Sequence, residues 1–275
     1  MADHRGALVE LGDGVHVWRQ EPSGHGRTNA GVVVDDDGIT VVDTLLSPVH
    51  AQPLVDALGP TLVPVRRAVY TSSHIEFVGG SPAFWMAARY GRAQTSALLD
   101  TPPNPDALQR LHPDFAHLLA EPETRPVSHI TDDAAWLSTR LCALPSGGQQ
   151  DQNLVALVPE ADVLFAGAMA CFGTTPNCFD GDPAAWADAL GDLGDLASRV
   201  VPGIGPVGGA DDVLALQAYL WAVLEAAESG GSLPPGPWDG WTDRHLDEVN
   251  VERARMLTAG DRSVPPSMLR LLGLA

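Results

Sequence analysis

Residues 71–80 read TSSHIEFVGG and follow a short apolar strand predicted at Arg67–Tyr70. The stretch ends in two glycines and contains one histidine and one carboxylate, His74 and Glu76. Ser72, His74 and Glu76 alternate along the chain, so their side chains can converge on one side of the loop. The pattern predicts a polar loop at the end of a strand, where a histidine beside a carboxylate can transfer protons.

Further motifs flank this loop, each framed by glycines or by apolar strands. They are Asn29-Ala30-Gly31-Val32-Val33 with Val41-Val42-Asp43-Thr44, Gly148-Gln149 followed by Asp151 and Asn153, Leu164-Phe165-Ala166-Gly167-Ala168, and Val201-Pro202-Gly203-Ile204-Gly205-Pro206-Val207. In order and framing, these motifs and loop 71–80 resemble those of the metallo-β-lactamase superfamily, from roughly Leu11 to Leu224. The resemblance implies an α/β fold, an αββα sandwich in which two facing mixed β-sheets are flanked by helices.

The same resemblance finds few of the superfamily's metal ligands in this chain. Those enzymes hold two metal ions with paired histidines and a bridging aspartate, and a bound water attacks the substrate. The corresponding positions here are Ser72, His74, Glu76, Phe77, Gln149, Ala168 and Ile204. One histidine and one carboxylate remain, whereas useful zinc affinity needs three or four donors. We therefore expect an apolar pocket with a few polar groups, with no metal and no other cofactor.

The candidate catalytic residues are His74, Glu76 and Ser72. His74 is predicted to act as a general base or acid that Glu76 orients, with Ser72 or a bound water as the attacking group. The alternative is that His74 and Glu76 satisfy each other's hydrogen bonds and have no catalytic role.

The candidate substrate-binding residues are those that the resemblance places around the same pocket. They are Phe77, Gln149, Ala168, Cys171, Ile204 and His25. The Gln149 amide can orient a carbonyl or an oxyanion, or it can bond the backbone of its own loop. Cys171 is either a nucleophile near His74 or, more commonly for such a cysteine, a small buried hydrophobe. His25 lies in a loop that overhangs the site in many relatives.

The rest of the chain is predicted as one large domain with an extension. Residues 1–230 form the αββα domain, with a Pro- and His-rich, lid-like insertion at about 100–125. Residues 231–275 form a Gly/Pro linker and a C-terminal helical extension packed on that domain. The pattern also predicts helices at Pro48–Leu58, Ser81–Tyr90, Pro183–Ala197, Asp211–Ser229 and Arg244–Met256, and a strand at Trp136–Leu144.

Composition excludes several classes of function. The chain of 275 residues has 16 basic and 35 acidic side chains, a net charge of −19, and every basic residue is arginine. Such a charge disfavours nucleic acids and acidic membranes as partners, and the absence of lysine removes Schiff-base chemistry. Three cysteines make no disulfide framework, and residues 1–10 lack a signal-peptide pattern, so we expect a cytoplasmic protein. A homodimer is compatible with the sequence.

The leading hypothesis is a metal-independent enzyme that catalyses the hydrolysis, cyclisation or elimination of a small organic molecule. The superfamily includes lactonases, thioesterases and aromatic polyketide cyclases, so the resemblance implies an acyl or polyketide-like substrate. The composition is compatible with specialised metabolism. One alternative is a non-catalytic, ligand-binding pseudoenzyme. The other is a mononuclear metallohydrolase that uses His74, Glu76 and a rearranged donor such as Cys171 or Asp151.

Overall fold

Alternating apolar residues in the N-terminal part of the chain form the hairpins of a first β-sheet. The computed structural model describes residues 5–274, and within them this sheet has seven strands paired in chain order. The strands are β1 (Arg5–Gly12), β2 (Val15–Glu21), β3 (Ala30–Asp35), β4 (Gly38–Val42), β5 (Val65–Val69), β6 (Ala88–Gly91) and β7 (His129–Ile130). Strands β1 to β4 are antiparallel to their neighbours, whereas β4 to β7 run parallel.

The second sheet has five strands within the same described range. They are β8 (Ala135–Trp136), β9 (Cys142–Ser146), β10 (Asn153–Val158), β11 (Val163–Cys171) and β12 (Arg199–Ile204). Strand β11 lies between β10 and β12 and is buried along its whole length, and it pairs antiparallel with β10 and parallel with β12. Val33 and Val69 of the first sheet pack with Phe165 and Val201 of the second in one apolar core between the sheets.

Helices cover the outer faces of both sheets. They are α1 (Pro48–Leu58), α2 (Ile75–Val78), α3 (Ala93–Leu99), α4 (Pro105–Leu111), α5 (Pro183–Leu193), α6 (Ala210–Ser229), α7 (Leu246–Thr258) and α8 (Pro266–Leu271). Helix α1 packs Leu54 against Val41 of the first sheet, and α5 and α6 pack Trp186 and Leu216 against Leu164 of the second. The αββα sandwich predicted from the resemblance is therefore confirmed.

Two predicted elements differ from the structure, and one helix was not predicted. The helix predicted at Ser81–Tyr90 is a 3₁₀ turn at Ser81–Phe84 followed by strand β6, because the backbone of Ala88–Gly91 pairs with β5. The strand predicted at Trp136–Leu144 is a hairpin, since Leu137 bonds back to Leu141. Helix α8 was not expected. The predicted outer domain bounds, residues 1 and 275, lie outside the described residues.

The insertion and the C-terminal extension meet on one side of the sandwich. Leu111 of α4 packs against Leu246 of α7 and Met268 of α8 in a small apolar cluster. The guanidinium of Arg110 donates to the backbone oxygen of Leu272 at 2.9 Å, at the end of α8. These contacts place the insertion and the C-terminal extension, which are distant in sequence, over the same strand ends. No helix among residues 5–274 is both long and apolar enough to cross a bilayer.

Candidate active site and ligand cavity

A cavity of about 760 Å³ lies between loop 73–77, the insertion and the C-terminal extension. Aliphatic side chains from the insertion and the extension make up much of its wall. The leucines among them are Leu98, Leu99, Leu108, Leu111, Leu246, Leu269, Leu271, Leu272 and Leu274. A space of this size with mostly apolar walls suits a small organic molecule.

Eight of the nine candidate residues line this one cavity. They are His25, His74, Glu76, Phe77, Gln149, Ala168, Cys171 and Ile204. Ser72 is fully buried and is not part of the lining. Its hydroxyl donates to Oε1 of Gln150 at 2.9 Å and accepts the backbone N–H of His74. The Ser72 side chain therefore stabilises the loop through these two hydrogen bonds and does not face the cavity.

His74 is bound on both sides of its ring. Its Nε2 lies 2.7 Å from Oδ2 of Asp180, and its Nδ1 lies 3.0 Å from Nε2 of Gln149. The ring also stacks on Phe179, with ring centroids 5.8 Å apart. Asp180, rather than Glu76, is therefore the carboxylate that orients His74.

The surrounding hydrogen bonds determine which nitrogen of His74 carries the proton. Asn153 accepts the backbone N–H of Gln150, so its amide nitrogen must donate to Thr71 O and to Gln149 Oε1. Gln149 then presents its own N–H to Nδ1 of His74, which must accept. The neutral ring consequently carries its proton on Nε2 and donates it to Asp180, while Nδ1 holds the basic lone pair.

The electrostatic setting of His74 makes its ring a stronger base. Burial on its own lowers the pKa of His74, but the charges of Asp180 and Glu76 outweigh it and raise the pKa above the ordinary value of 6.5. A histidine in this range exchanges protons near neutral pH, which acid–base catalysis requires.

Glu76 lies beside a second histidine, His112, which the insertion contributes. Nε2 of His112 lies 3.6 Å from Oε2 of Glu76, which is beyond hydrogen-bond range. His112 is almost fully buried, and its Nε2 has no hydrogen-bond partner in the described part of the chain. Burial lowers the pKa of His112 in spite of Glu76. The histidine is therefore neutral at pH 7, and the two residues form no ion pair.

A buried carboxyl below the cavity joins the two loops that carry the site. Asp43 accepts the backbone N–H and the hydroxyl of Thr71, and Thr71 Oγ1 in turn accepts the N–H of Ala168. Burial raises the pKa of Asp43 to about 7, although both Thr71 bonds act in the opposite direction. The backbone of Phe77 is held in the same region by Thr44, through both its N–H and its hydroxyl.

Cys171 does not have the surroundings of a nucleophile. Burial, and then the charge of Glu76, raise the pKa of its thiol well above the ordinary value. The protonated thiol is a weak nucleophile. Cys171 therefore forms part of the apolar wall, which is the second of the two interpretations of its sequence position. All three cysteines are free.

The residues around the cavity do not fit the metal centre that the resemblance implies. Phe77, Ala168 and Ile204 offer no donor atoms, and both ring nitrogens of His74 already have partners. Among residues 5–274, no group of three or more His, Cys, Asp or Glu side chains is placed to hold a metal ion. Asp151, a candidate rearranged donor, pairs with Arg262 at the surface.

Sequence reasoning missed two residues of the candidate site, Asp180 and His112. Asp180 comes from the loop after β11, which contains Asn177-Cys178-Phe179-Asp180-Gly181-Asp182, and the Asp-Gly pair there indicates only a turn. His112 belongs to the Pro- and His-rich insertion, whose sequence is typical of an exposed lid. The insertion folds back over the cavity, so His112 is buried against Glu76.

Comparison with known proteins relates this chain to a group of solved structures. No protein-family model matches the chain. It is similar to the metallo-β-lactamase FIM-1 from Pseudomonas aeruginosa in its mono-zinc form, at 20% identity and a TM-score of 0.62, over 79% of this chain and 95% of that one. It is also similar to a metallo-β-lactamase from Hirschia baltica, at 21% identity and a TM-score of 0.61, over 78% and 97%.

A third structure, a metallo-β-lactamase from Pontibacter korlensis, gives the same result. The identity is 20% and the TM-score is 0.62, over 79% of this chain and 99% of that one. The similarity spans nearly the whole of each neighbour. At this level of identity the similarity establishes the architecture. The chain therefore has the metallo-β-lactamase fold.

Proposed function

We propose that this chain is an enzyme that transfers protons with His74 and Asp180, without a metal ion, on an apolar small molecule. The reaction is the hydrolysis, cyclisation or elimination of an acyl or polyketide-like substrate. The observation that supports this most is the 2.7 Å hydrogen bond between His74 and Asp180 at the polar end of a cavity of about 760 Å³. A partly buried histidine oriented by a carboxylate is a recurrent acid–base unit.

In the proposed reaction, Nδ1 of His74 removes a proton from the substrate or from a water molecule. The imidazolium that forms is stabilised by Asp180 on its other side, and it later returns the proton to the leaving or rearranged group. The N–H of Gln149 must leave Nδ1 before the proton is taken up, because the nitrogen has one lone pair, and it stays away afterwards because two donors cannot face each other. The freed amide then donates to the oxygen on which negative charge develops.

The remaining candidate residues serve as the substrate-binding wall. Phe77, Ala168 and Ile204 lie among them and present carbon atoms where relatives bind metal ions. Such a wall excludes water and strengthens the few polar interactions that remain. His25 also lines the cavity, and its Nε2 lies 3.2 Å from the backbone oxygen of Thr175.

Turnover as a function of pH tests this proposal. Protein stripped of metal with a chelator is assayed with p-nitrophenyl acetate, hexanoate and decanoate, and kcat/KM is followed against pH. The unprotonated ring is the active form, so activity should rise with pH around a midpoint above 6.5, the ordinary pKa of histidine. In Asp180→Asn the midpoint should move to lower pH, because the charge that raises the pKa is gone.

The matched control for this experiment is Asp151→Asn, which removes a carboxylate that pairs with Arg262 outside the cavity. Its pH profile should coincide with that of the wild type. Activity that requires added zinc, or a midpoint that Asp180→Asn leaves unchanged, would contradict the proposal.

A second candidate function is ligand binding without catalysis. It is favoured by the two hydrogen bonds that occupy both ring nitrogens of His74, and by the position of Ser72 outside the cavity. Such a pseudoenzyme would bind apolar molecules saturably and would turn over none of the esters. Calorimetric titration with an apolar ligand, run beside the ester assays, separates the two functions.

A further inference from the structure

The Glu76 carboxylate faces the cavity without a hydrogen-bond donor of its own. Its side chain is 12% exposed and lines the cavity. Among residues 5–274, no hydrogen bond to this carboxylate is formed, and the nearest ion-pair distance is the 3.6 Å to His112. A buried carboxylate in this state is costly unless a donor or a cation meets it.

No positive charge of the protein compensates Glu76. The chain has no lysine, and no arginine of the described residues forms a salt bridge with Glu76. Arg110 lines the cavity and keeps its charge, but its guanidinium is held at the end of α8 by the backbone oxygens of Leu272 and Gly273 and makes no ion pair with Glu76. Burial keeps His112 neutral, and the charge of His74 in its protonated form is matched by Asp180.

The other charged and aromatic groups of the cavity favour the same kind of ligand. Asp114 and Asp243 are further carboxylates in the lining, and Phe77 presents an aromatic ring to it. Carboxylates repel an anionic head group, whereas aromatic rings attract a cationic one through their electron-rich faces. The net charge of −19 adds a long-range field of the same sign.

We infer that this cavity binds an apolar molecule that carries one protonated amine, with the ammonium group against Glu76. The aliphatic part of the ligand packs between α4 and α8, against Leu108, Leu111 and Met268. The ammonium donates to Glu76, and its hydrogens also come within reach of the unpartnered Nε2 of His112. Anionic forms of an acyl substrate, such as phosphate-linked carriers and free carboxylates, are disfavoured beside Glu76 by the same charges.

This inference names the substrate class of the proposed enzyme. It rests on the proposed function only in treating the bound amine as a substrate. Binding is therefore measured without turnover. Saturable amine binding with no turnover would leave the inference standing and contradict the enzyme. Turnover of neutral esters without any preference for amines would support the enzyme and overturn the inference.

The test is calorimetric titration with decylamine, decanol and decanoate, which share one chain and differ in head group. Titrations are made below the micelle concentrations and at about 0.15 M salt, so that long-range attraction to the acidic surface is screened. We expect decylamine to bind about tenfold more tightly than decanol, and decanoate to bind most weakly. Equal affinities, or tighter binding of decanol or decanoate, would overturn the inference.

Two variants locate the preference at Glu76. Glu76→Gln removes the charge and keeps the shape, and it should lose about tenfold in affinity for decylamine while keeping that for decanol. Asp151→Asn removes one charge outside the cavity and should bind all three probes as the wild type does. An amine preference that survives unchanged in Glu76→Gln would show nonspecific attraction and overturn the inference; circular dichroism checks that both variants fold.

Discussion

The Asp43→Asn variant is expected to be more stable than the wild type at about pH 8, and to lose the fall in stability that the wild type shows between about pH 4 and pH 8. The carboxyl of Asp43 is 1% exposed, and burial raises its pKa from 3.8 to about 7. The folded protein therefore holds a proton there that the unfolded chain has already released. Its stability declines as the pH rises through this window.

The size of the effect follows from the pKa shift. A difference between 3.8 and about 7 corresponds to on the order of 4 kcal/mol in the free energy of unfolding, all of it lost above the folded pKa. Asparagine has no charge to bury, and it can keep the bonds to Thr71 by accepting at Oδ1 and donating at Nδ2. It also tolerates the backbone φ of 63° at this position.

Urea denaturation of both proteins at several pH values measures this effect. The raised pKa of His74 lowers stability with rising pH in the same direction, but it does so equally in both proteins and cancels in the comparison. Asp151→Asn serves as the control and should follow the wild type. A wild type whose stability stays level or increases from about pH 4 to pH 8 would refute the assignment of a protonated Asp43.

In the His74→Ala variant, kcat is expected to fall by a factor of about 10² to 10⁴ on any ester that the wild type hydrolyses. The variant lacks the only base in the proposed mechanism, while the apolar wall that binds the substrate is retained. KM should therefore change much less than kcat. Added imidazole should restore part of the activity, since the space left by the ring remains lined by Phe179 and Asp180.

Ser72→Ala distinguishes a serine nucleophile from a base acting on water. The Ser72 hydroxyl donates to Gln150 and does not line the cavity, so we expect kcat to remain within about threefold of the wild type. A loss as large as that of His74→Ala would place Ser72 in the reaction and would require the loop to rearrange. Circular dichroism of each variant separates this outcome from unfolding.

The fold could be predicted because its motif glycines are required by contacts between distant motifs. A Cβ at Gly31 would lie 2.6 Å from the ring of Phe165, and one at Gly167 would lie 2.4 Å from the side chain of Thr71. Asn29 bonds the backbone oxygens of Pro202 and Gly205, which joins the first motif to the last. Each motif is thus shaped by another, so their order along the chain specifies the sandwich.

The local departures from prediction have a common cause. Ser81–Tyr90 is rich in residues that favour helices, but pairing of Ala88–Gly91 with β5 supplies backbone hydrogen bonds that a helix would forgo. Trp85 and Met86 are left exposed there, so an apolar residue in this stretch does not indicate a buried face. Tertiary pairing overrides local preference in both this stretch and the β8–β9 hairpin.

Eight of the nine residues singled out in the sequence line one cavity, whereas Asp180, the carboxylate that bonds His74, was not among them. The motif loops converge at the strand ends, which is why the residues singled out in them line one cavity. The partner of His74 is 106 positions away in the chain, and no spacing pattern connects the two residues. His112 likewise reaches Glu76 only because the insertion folds over the cavity. Contacts of this kind depend on loop conformations that no local pattern encodes.

The metal content of the purified protein tests the central claim most directly. The protein is incubated with excess zinc, dialysed, and analysed by inductively coupled plasma mass spectrometry, with esterase activity measured before and after. Because Phe77, Ala168 and Ile204 supply no donors, we expect far less than one equivalent of zinc, iron or manganese and no change in activity. One or two equivalents that survive dialysis and raise the activity would contradict the account.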